Sequence, residues 1–201
     1  MSSIEMIDSG ILELYVAGMT NAAETSEVEL AAASNPAIWQ EINDICSSLE
    51  KFALQNAVVP NPILKPFLLA TIDYTERLKN GEHPANPPLL HERSTAQDYA
   101  IWLNRSDMQP PVTKDLFAKI IGFTPAATTA IVWLKDYAPH EVHDNEYEKF
   151  LIVEGSCNII VENEVNSLKA GDYFAIPLHK AHMINVTSAI PCKVILQRVA
   201  A

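Results

Sequence analysis

The sequence predicts an α+β chain of two parts: a small helical bundle over residues 1–80 and a β-barrel over residues 98–201, joined by a linker at 81–97. Three observations predict it. Apolar residues recur at three- and four-residue steps through the first 80 positions, as in helices with one buried stripe. A stretch holding His83-Pro84 and Pro87-Pro88 then interrupts any helix. Beyond residue 98 come short β-prone runs separated by turn residues, the spacing of a sandwich or closed barrel.

In the helical part, Ile4, Ile7, Ile11, Leu14 and Tyr15 form one face of a first helix, which Gly18 ends. Thr20 or Asn21 caps the next, with Glu24 placed for a capping box with Asn21. Asn35-Pro36 restarts the chain as cap and first-turn proline. The helix that follows sets Ile38, Ile42, Ile45, Leu49 and Phe52 in a heptad-like seam. Asn61-Pro62 repeats the signal, and Leu64, Phe67, Leu68, Thr71 and Ile72 make a fourth amphipathic stretch ending near Asn80-Gly81. Four such helices are expected to form a bundle. In the second part, strands are expected at 99–103, 116–123, 128–134, 150–153, 158–161, 173–176, 183–186 and 192–197.

Composition narrows the function. With 48% hydrophobic and 19% charged residues, the chain has enough apolar material to fold. No stretch approaches the roughly 18 apolar residues of a membrane helix. Met1-Ser2-Ser3-Ile4-Glu5 lacks the basic-then-apolar order of a secretory leader, so a cytoplasmic protein with no membrane association is expected. Cys46, Cys157 and Cys192 form no C-x-x-C pair and read as small buried apolar residues. The net charge of −11 argues against direct contact with nucleic acid. The acidity is uneven: residues 1–92 carry 13 Asp and Glu against 4 Lys and Arg, and residues 93–201 carry 12 against 10. That pattern suits a solvated helical surface, or a face complementary to a basic partner.

The chemistry is concentrated in Pro139-His140-Glu141-Val142-His143-Asp144-Asn145-Glu146-Tyr147-Glu148 and, 39 residues beyond His143, at His182. Residues i and i+2 of a strand share a face, so Glu141 and His143 can point into a barrel together and Glu148 can return from the next strand. His143, Glu148, His182 and Glu141 are the candidate metal ligands. His140 faces outward unless a bulge turns it in, and His179 lies on a turn beside the pocket. Imidazole and carboxylate together suit one divalent transition metal, zinc first, with Fe, Mn, Ni or Cu as alternatives. Three or four protein ligands leave a position for water or a small molecule.

These residues resemble the two motifs of the cupin superfamily. His143, four residues, Glu148, six residues and Gly155 keep the spacing of the first; Gly171, Pro177 and His182 keep that of the second. Two departures stand out: Glu141 occupies the first histidine position, and His179 replaces the glycine usual after the proline. The resemblance implies a cupin barrel, a double-stranded β-helix, holding a metal.

A second resemblance covers the first half. Ser9-Gly10-Ile11-Leu12-Glu13-Leu14-Tyr15-Val16-Ala17-Gly18, a capped helix with Glu27-Val28-Glu29, and Asn35-Pro36 look like the sigma-binding domain of bacterial anti-sigma factors. That domain followed by a cupin resembles the ChrR-like anti-sigma factors. The resemblance implies a non-enzymatic regulator that sequesters an extracytoplasmic-function (ECF) sigma factor, with the cupin sensing a metal-bound or small-molecule signal. The zinc motif of that family is missing: Ala31 and Asn35-Pro36-Ala37-Ile38 stand where ligands would be, so a metal-free bundle is expected. Leu64, Phe67, Leu68 and Ile72 are the expected partner-binding residues, on a helix able to swing from the bundle. A homodimer through the barrel is a further expectation. The alternative is a cupin metalloenzyme, a dioxygenase or isomerase, or a small-molecule-binding cupin, with a helical dimerisation domain.

Overall fold

The structure, a computed structural model, describes residues 3–111 and 115–201; Met1 and Ser2, which head the stretch read for a leader, lie outside it. The chain divides into two compact units, Met1–Val59 and Pro60–Ala201. No helix among the described residues is long and apolar enough to cross a membrane.

The first unit holds α1 (Ser3–Asp8), α2 (Ile11–Val16), α3 (Ala22–Ser34) and α4 (Pro36–Gln55). What the sequence presents as one helix from Ile4 to Tyr15 is two. Gly10 takes a left-handed φ of 80°, which glycine alone adopts without Cβ strain, and the Ser9 hydroxyl bridges the break by donating to the Met6 carbonyl and accepting from the Ile11 N–H. Asn21 and Glu24 form the expected capping box, and the Asn35 side chain caps α4 at Ala37 N. Met6, Leu12, Val28 and Ile38 make the core, flanked by Ile42 and Ile45. The α4 seam outruns that core. At about 1.5 Å per residue, α4 is longer than the helices it packs on, so its distal Leu49 and Phe52 stay exposed, Phe52 at 66%.

In the second unit nine strands, β1 (Leu116–Phe123), β2 (Ala127–Leu134), β3 (Tyr137–Glu141), β4 (Glu146–Glu154), β5 (Ser156–Val161), β6 (Glu164–Lys169), β7 (Tyr173–Ile176), β8 (His182–Val186) and β9 (Cys192–Ala200), form two antiparallel sheets. Their orders are β1-β2-β9-β4-β7 and β3-β8-β5-β6. This is the double-stranded β-helix that the cupin resemblance implies. Inner-face residues of both sheets, among them Val132, Phe150, Ile152, Ile159, Ile184 and Leu196, share one core. Gly155 closes the β4–β5 turn at φ 75°, where a Cβ would come within 2.7 Å of Ser188 Oγ.

The structure corrects the boundaries at 80 and 97. Helix α5 (Leu64–Lys79) belongs to the barrel unit, not to the bundle, and packs along β1. Ala70 and Tyr74 enter the barrel core, with Ile63, Phe67 and Leu78 against it. Charge fixes the same face: Asp73 pairs with Arg77 and with Lys119 of β1, and Arg77 also pairs with Glu82 and reaches the Ile120 carbonyl. A helix so held does not swing. Phe67 is therefore a packing residue rather than a free anchor, while Leu64, Leu68 and Ile72 face outward at four-residue steps and remain exposed.

The expected linker is likewise a fixed strap. The β2 run Ala130-Ile131-Val132-Trp133-Leu134 is buried on alternate residues of both faces, which requires cover on both sides of the five-stranded sheet. The strap and the following turns supply the outer cover. Leu90, Tyr99, Trp102, Leu103 and Met108 pack on Ile121, Ile131, Leu151 and Ile195. Gln197 of β9 pins the strap: its Oε1 accepts from Leu90 N at 2.8 Å, and its Nε2 donates to the Pro88 carbonyl and to Thr129 Oγ1. The expected strand at 99–103 is helical instead. Thr95 and Asp98 form a capping box that starts a 3-10 turn, Ala96–Tyr99, and α6 (Ala100–Leu103) follows, placing Tyr99, Trp102 and Leu103 on one side.

Two outcomes follow. Limited proteolysis should cut first within residues 56–63, where Val58 and Val59 are each 88% exposed, and not within 81–97. Gly122→Ala should free the strap, because a Cβ there would lie 2.2 Å from Pro87 Cδ. The variant should lose about 1–3 kcal/mol in denaturant titration and gain cleavage within 81–97; unchanged stability would count against the strap's fixed placement.

Candidate metal centre

Strand parity brings the site together. On β4, Glu146 and Glu148 share the inward face with Phe150 and Ile152, so the strand that builds the core also delivers a carboxylate. On β8, His182 precedes Ile184 on the same face and pairs in register with Glu141 of β3. A register irregularity between Ala138 and Glu141 allows both to point inward although they are three residues apart. His140 stays exposed, its carbonyl accepting from Asn61 Nδ2. His143 follows in the β3–β4 turn, and its carbonyl accepts from the backbone N–H of His179 at 2.9 Å. The His179 side chain itself lies outside the cluster, exposed beside Asp144 at 3.1 Å.

Ligand atoms of Glu141, His143, Glu148 and His182 all lie within 4.8 Å of one another. Glu148 and His182 are buried at 2% and 1% side-chain exposure. Glu148 Oε2 lies 3.1 Å from His182 Nε2 and 3.4 Å from His143 Nε2. His182 Nδ1 sits 3.2 Å from the Lys180 carbonyl, which leaves Nε2 directed at the cluster. Among the described residues, His143 Nε2 is buried and makes no hydrogen bond. A buried ring nitrogen without a partner is costly unless something else meets it. An ion would meet it, and the nitrogen and oxygen donors suit Zn, Fe, Mn, Ni or Cu. The four residues therefore fit a divalent metal, with identity left open by the donor set.

Arg198 completes the site and was not evident among the candidate ligands. It shares the inner face of β9 with Val194 and Leu196, and that parity, a cation at i+2 from two core residues, is the signal that could have revealed it. Its Nε donates to Glu148 Oε1 at 2.9 Å, its Nη2 to Glu141 Oε2 at 3.2 Å, and its guanidinium lies 4.7 Å over the Phe67 ring. A cavity of about 20 Å3 adjoins Glu141 and Glu148 and is otherwise lined by apolar residues, Ile63, Phe67 and Phe150 among them.

Burial alone would raise the Glu148 pKa, but the imidazoles of His143 and His182 and the charge of Arg198 overcome it and hold the carboxyl well below the usual range. Glu141 moves up, through burial and the charge of Glu148. The contact with Glu148 raises the His143 pKa despite burial.

Residues 132–197 match the sequence profile described as the Cupin domain. Solved structures similar to the chain include the Schizosaccharomyces pombe Cnp3 cupin domain (13% identity, TM-score 0.44, 48% of this chain and 72% of that one). KdgF from Halomonas sp. gives 20% identity, TM-score 0.42 and coverage of 47% and 92%. An RmlC-like cupin from Shewanella frigidimarina gives 23%, 0.38, 45% and 81%. A search of curated proteins returns no match to the chain. The chain thus combines an N-terminal group of helices with a cupin domain of double-stranded β-helix fold.

A depressed carboxyl stabilises the fold above its unfolded pKa, near 4.5 for Glu148, and that contribution is lost as pH falls through the folded value. The metal-free protein should therefore lose thermal stability progressively as pH falls below about 5, and Glu148→Gln should flatten that loss, at about 2–4 °C per kcal/mol of removed linkage. Equal slopes would show that Glu148 is not the group responsible.

Proposed function

We propose that the chain is a metal-binding regulator: the cupin domain holds one divalent transition metal through His143, Glu148 and His182, and the helical unit sequesters an ECF sigma factor. The convergence of Glu141, His143, Glu148 and His182 donor atoms within 4.8 Å, with His143 Nε2 buried and making no hydrogen bond among the described residues, carries the metal half of this reading. When bound, the ion would supply a Lewis-acidic centre with room for an exchangeable ligand. The chain's own residues orient the donors. Arg198 neutralises part of the carboxylate charge, and the inner-face apolar residues exclude water.

The regulatory half is supported by the first unit and by its resemblance to sigma-binding domains. Residues 1–59 hold 9 Asp and Glu against one Lys, a net of −8, so this compact unit is strongly acidic. It also leaves Trp39, Leu49 and Phe52 of α4 exposed. Apolar anchors within an acidic surround suit a basic protein partner, with charge governing association rate more than affinity. Leu64, Leu68 and Ile72 on α5 offer a second exposed stripe on the other unit.

Purified full-length protein should carry about one transition metal per chain, and His143→Ala or His182→Ala should weaken binding at least about 100-fold. A wild type that stays metal-free after metal-replete expression and reconstitution contradicts the metal reading. For the partner, the full chain should bind an ECF sigma factor of its source genome at micromolar concentration or better. The double variant Leu49→Ala/Phe52→Ala should weaken that complex about tenfold or more without changing the melting temperature. Failure of every such sigma factor to bind returns the enzyme reading to first place.

A further inference from the structure

The two carboxylates of the metal centre are held by Arg198 in different ways. At Glu148, Arg198 bonds Oε1, leaving Oε2 facing His182 and His143 at 3.1 and 3.4 Å. The arginine grips this carboxylate from behind and presents its inner oxygen. At Glu141 the pattern reverses. The oxygen that faces His143 Nε2, Oε2 at 3.8 Å, is the one that accepts from Arg198 Nη2 at 3.2 Å. Here the guanidinium bonds the same oxygen that faces the cluster and competes with an ion for it.

We propose that Arg198 is the positioning residue of the metal centre: it presents Glu148 as a ligand and withholds Glu141. The centre is then built from His143, Glu148 and His182, with one coordination position left open. This deepens the metal-binding reading and rests on it. A site closed by four protein ligands is structural in character, whereas three ligands leave a place for water or a small exchangeable donor. Several features keep Arg198 in place. It is mostly buried, it also lies 3.5 Å from Glu146 Oε1, and its guanidinium is stacked on Phe67, itself packed against the barrel core. A planar fork with fixed donors can span two carboxylates at once; a lysine ammonium cannot match that geometry.

The experiment is a double-mutant cycle on the full-length chain, read as Zn2+ affinity by chelator competition at pH 7.5, with His143→Ala as reference. In the wild-type background, Glu141→Gln should change affinity less than about threefold, against at least about 100-fold for His143→Ala. In the Arg198→Met background Glu141 is released, and Glu141→Gln should then cost about tenfold or more. Should Arg198→Met fail to fold, Arg198→Lys replaces it, and the wild-type comparison still decides whether Glu141 is withheld. A loss with Glu141→Gln comparable to that with His143→Ala overturns the proposal, as does a loss below threefold in both backgrounds. If the wild type itself binds no Zn2+, the metal reading fails and this inference fails with it; if the wild type binds and only the cycle disagrees, this inference alone is wrong.

Discussion

The structure turns on one buried carboxylate. Glu148 sits inside an apolar barrel at 2% exposure, where an unpaired charge would be prohibitive. Its two oxygens are met by His182, His143 and Arg198, which come from β8, the β3–β4 turn and β9. The charge therefore ties both sheets together at the same end of the barrel. It also explains why Arg198 stands on the inner face of a strand that otherwise carries Val194 and Leu196. Replacing the whole set by apolar residues could stabilise the fold, since a buried ion cluster is seldom the most stable solution. Retaining it makes more sense for a site that serves binding.

The second constraint is the five-stranded sheet, whose central strands are apolar on both faces. One face meets the opposite sheet and the other needs cover of its own. Residues 81–111 provide that cover, and α5 seals an edge of the barrel beside β1. The apolar surface of α5 is thus shared: Ala70 and Tyr74 satisfy the barrel, and Leu64, Leu68 and Ile72 are left outside. The helical unit repeats the theme, with Ile38 inside and Phe52 outside along one seam of α4.

Much of this was legible in the sequence. The caps at Asn21 and Asn35 rely on local hydrogen bonds, and the spacing of His143, Glu148, Gly155 and His182 encodes a strand, a turn and a return. The caps are short-range signals and the structure places them as read, whereas His143 lies in the β3–β4 turn rather than on a strand two residues from Glu141. What was not legible depends on long-range packing. Nothing in the periodicity of Leu64 to Ile72 says whether its apolar face meets helices or a sheet; the ion pair between Asp73 and Lys119, 46 residues apart, decides it. The Pro-rich strap reads as a spacer until Gln197 and the doubly buried β2 show what it covers. The break at Gly10 was visible as a residue and missed as a boundary, because the apolar pattern runs through it. Arg198 was hidden by its position among aliphatic residues near the end of the last strand.

The most direct test of the central claim is anomalous diffraction from crystals of Zn2+-loaded protein. The expected result is a single ion at about 2.0–2.2 Å from His143 Nε2, His182 Nε2 and a Glu148 oxygen, with Arg198 still paired to Glu148. An ion bound elsewhere, or a vacant His143–Glu148–His182 cluster in protein that carries stoichiometric zinc, would contradict it.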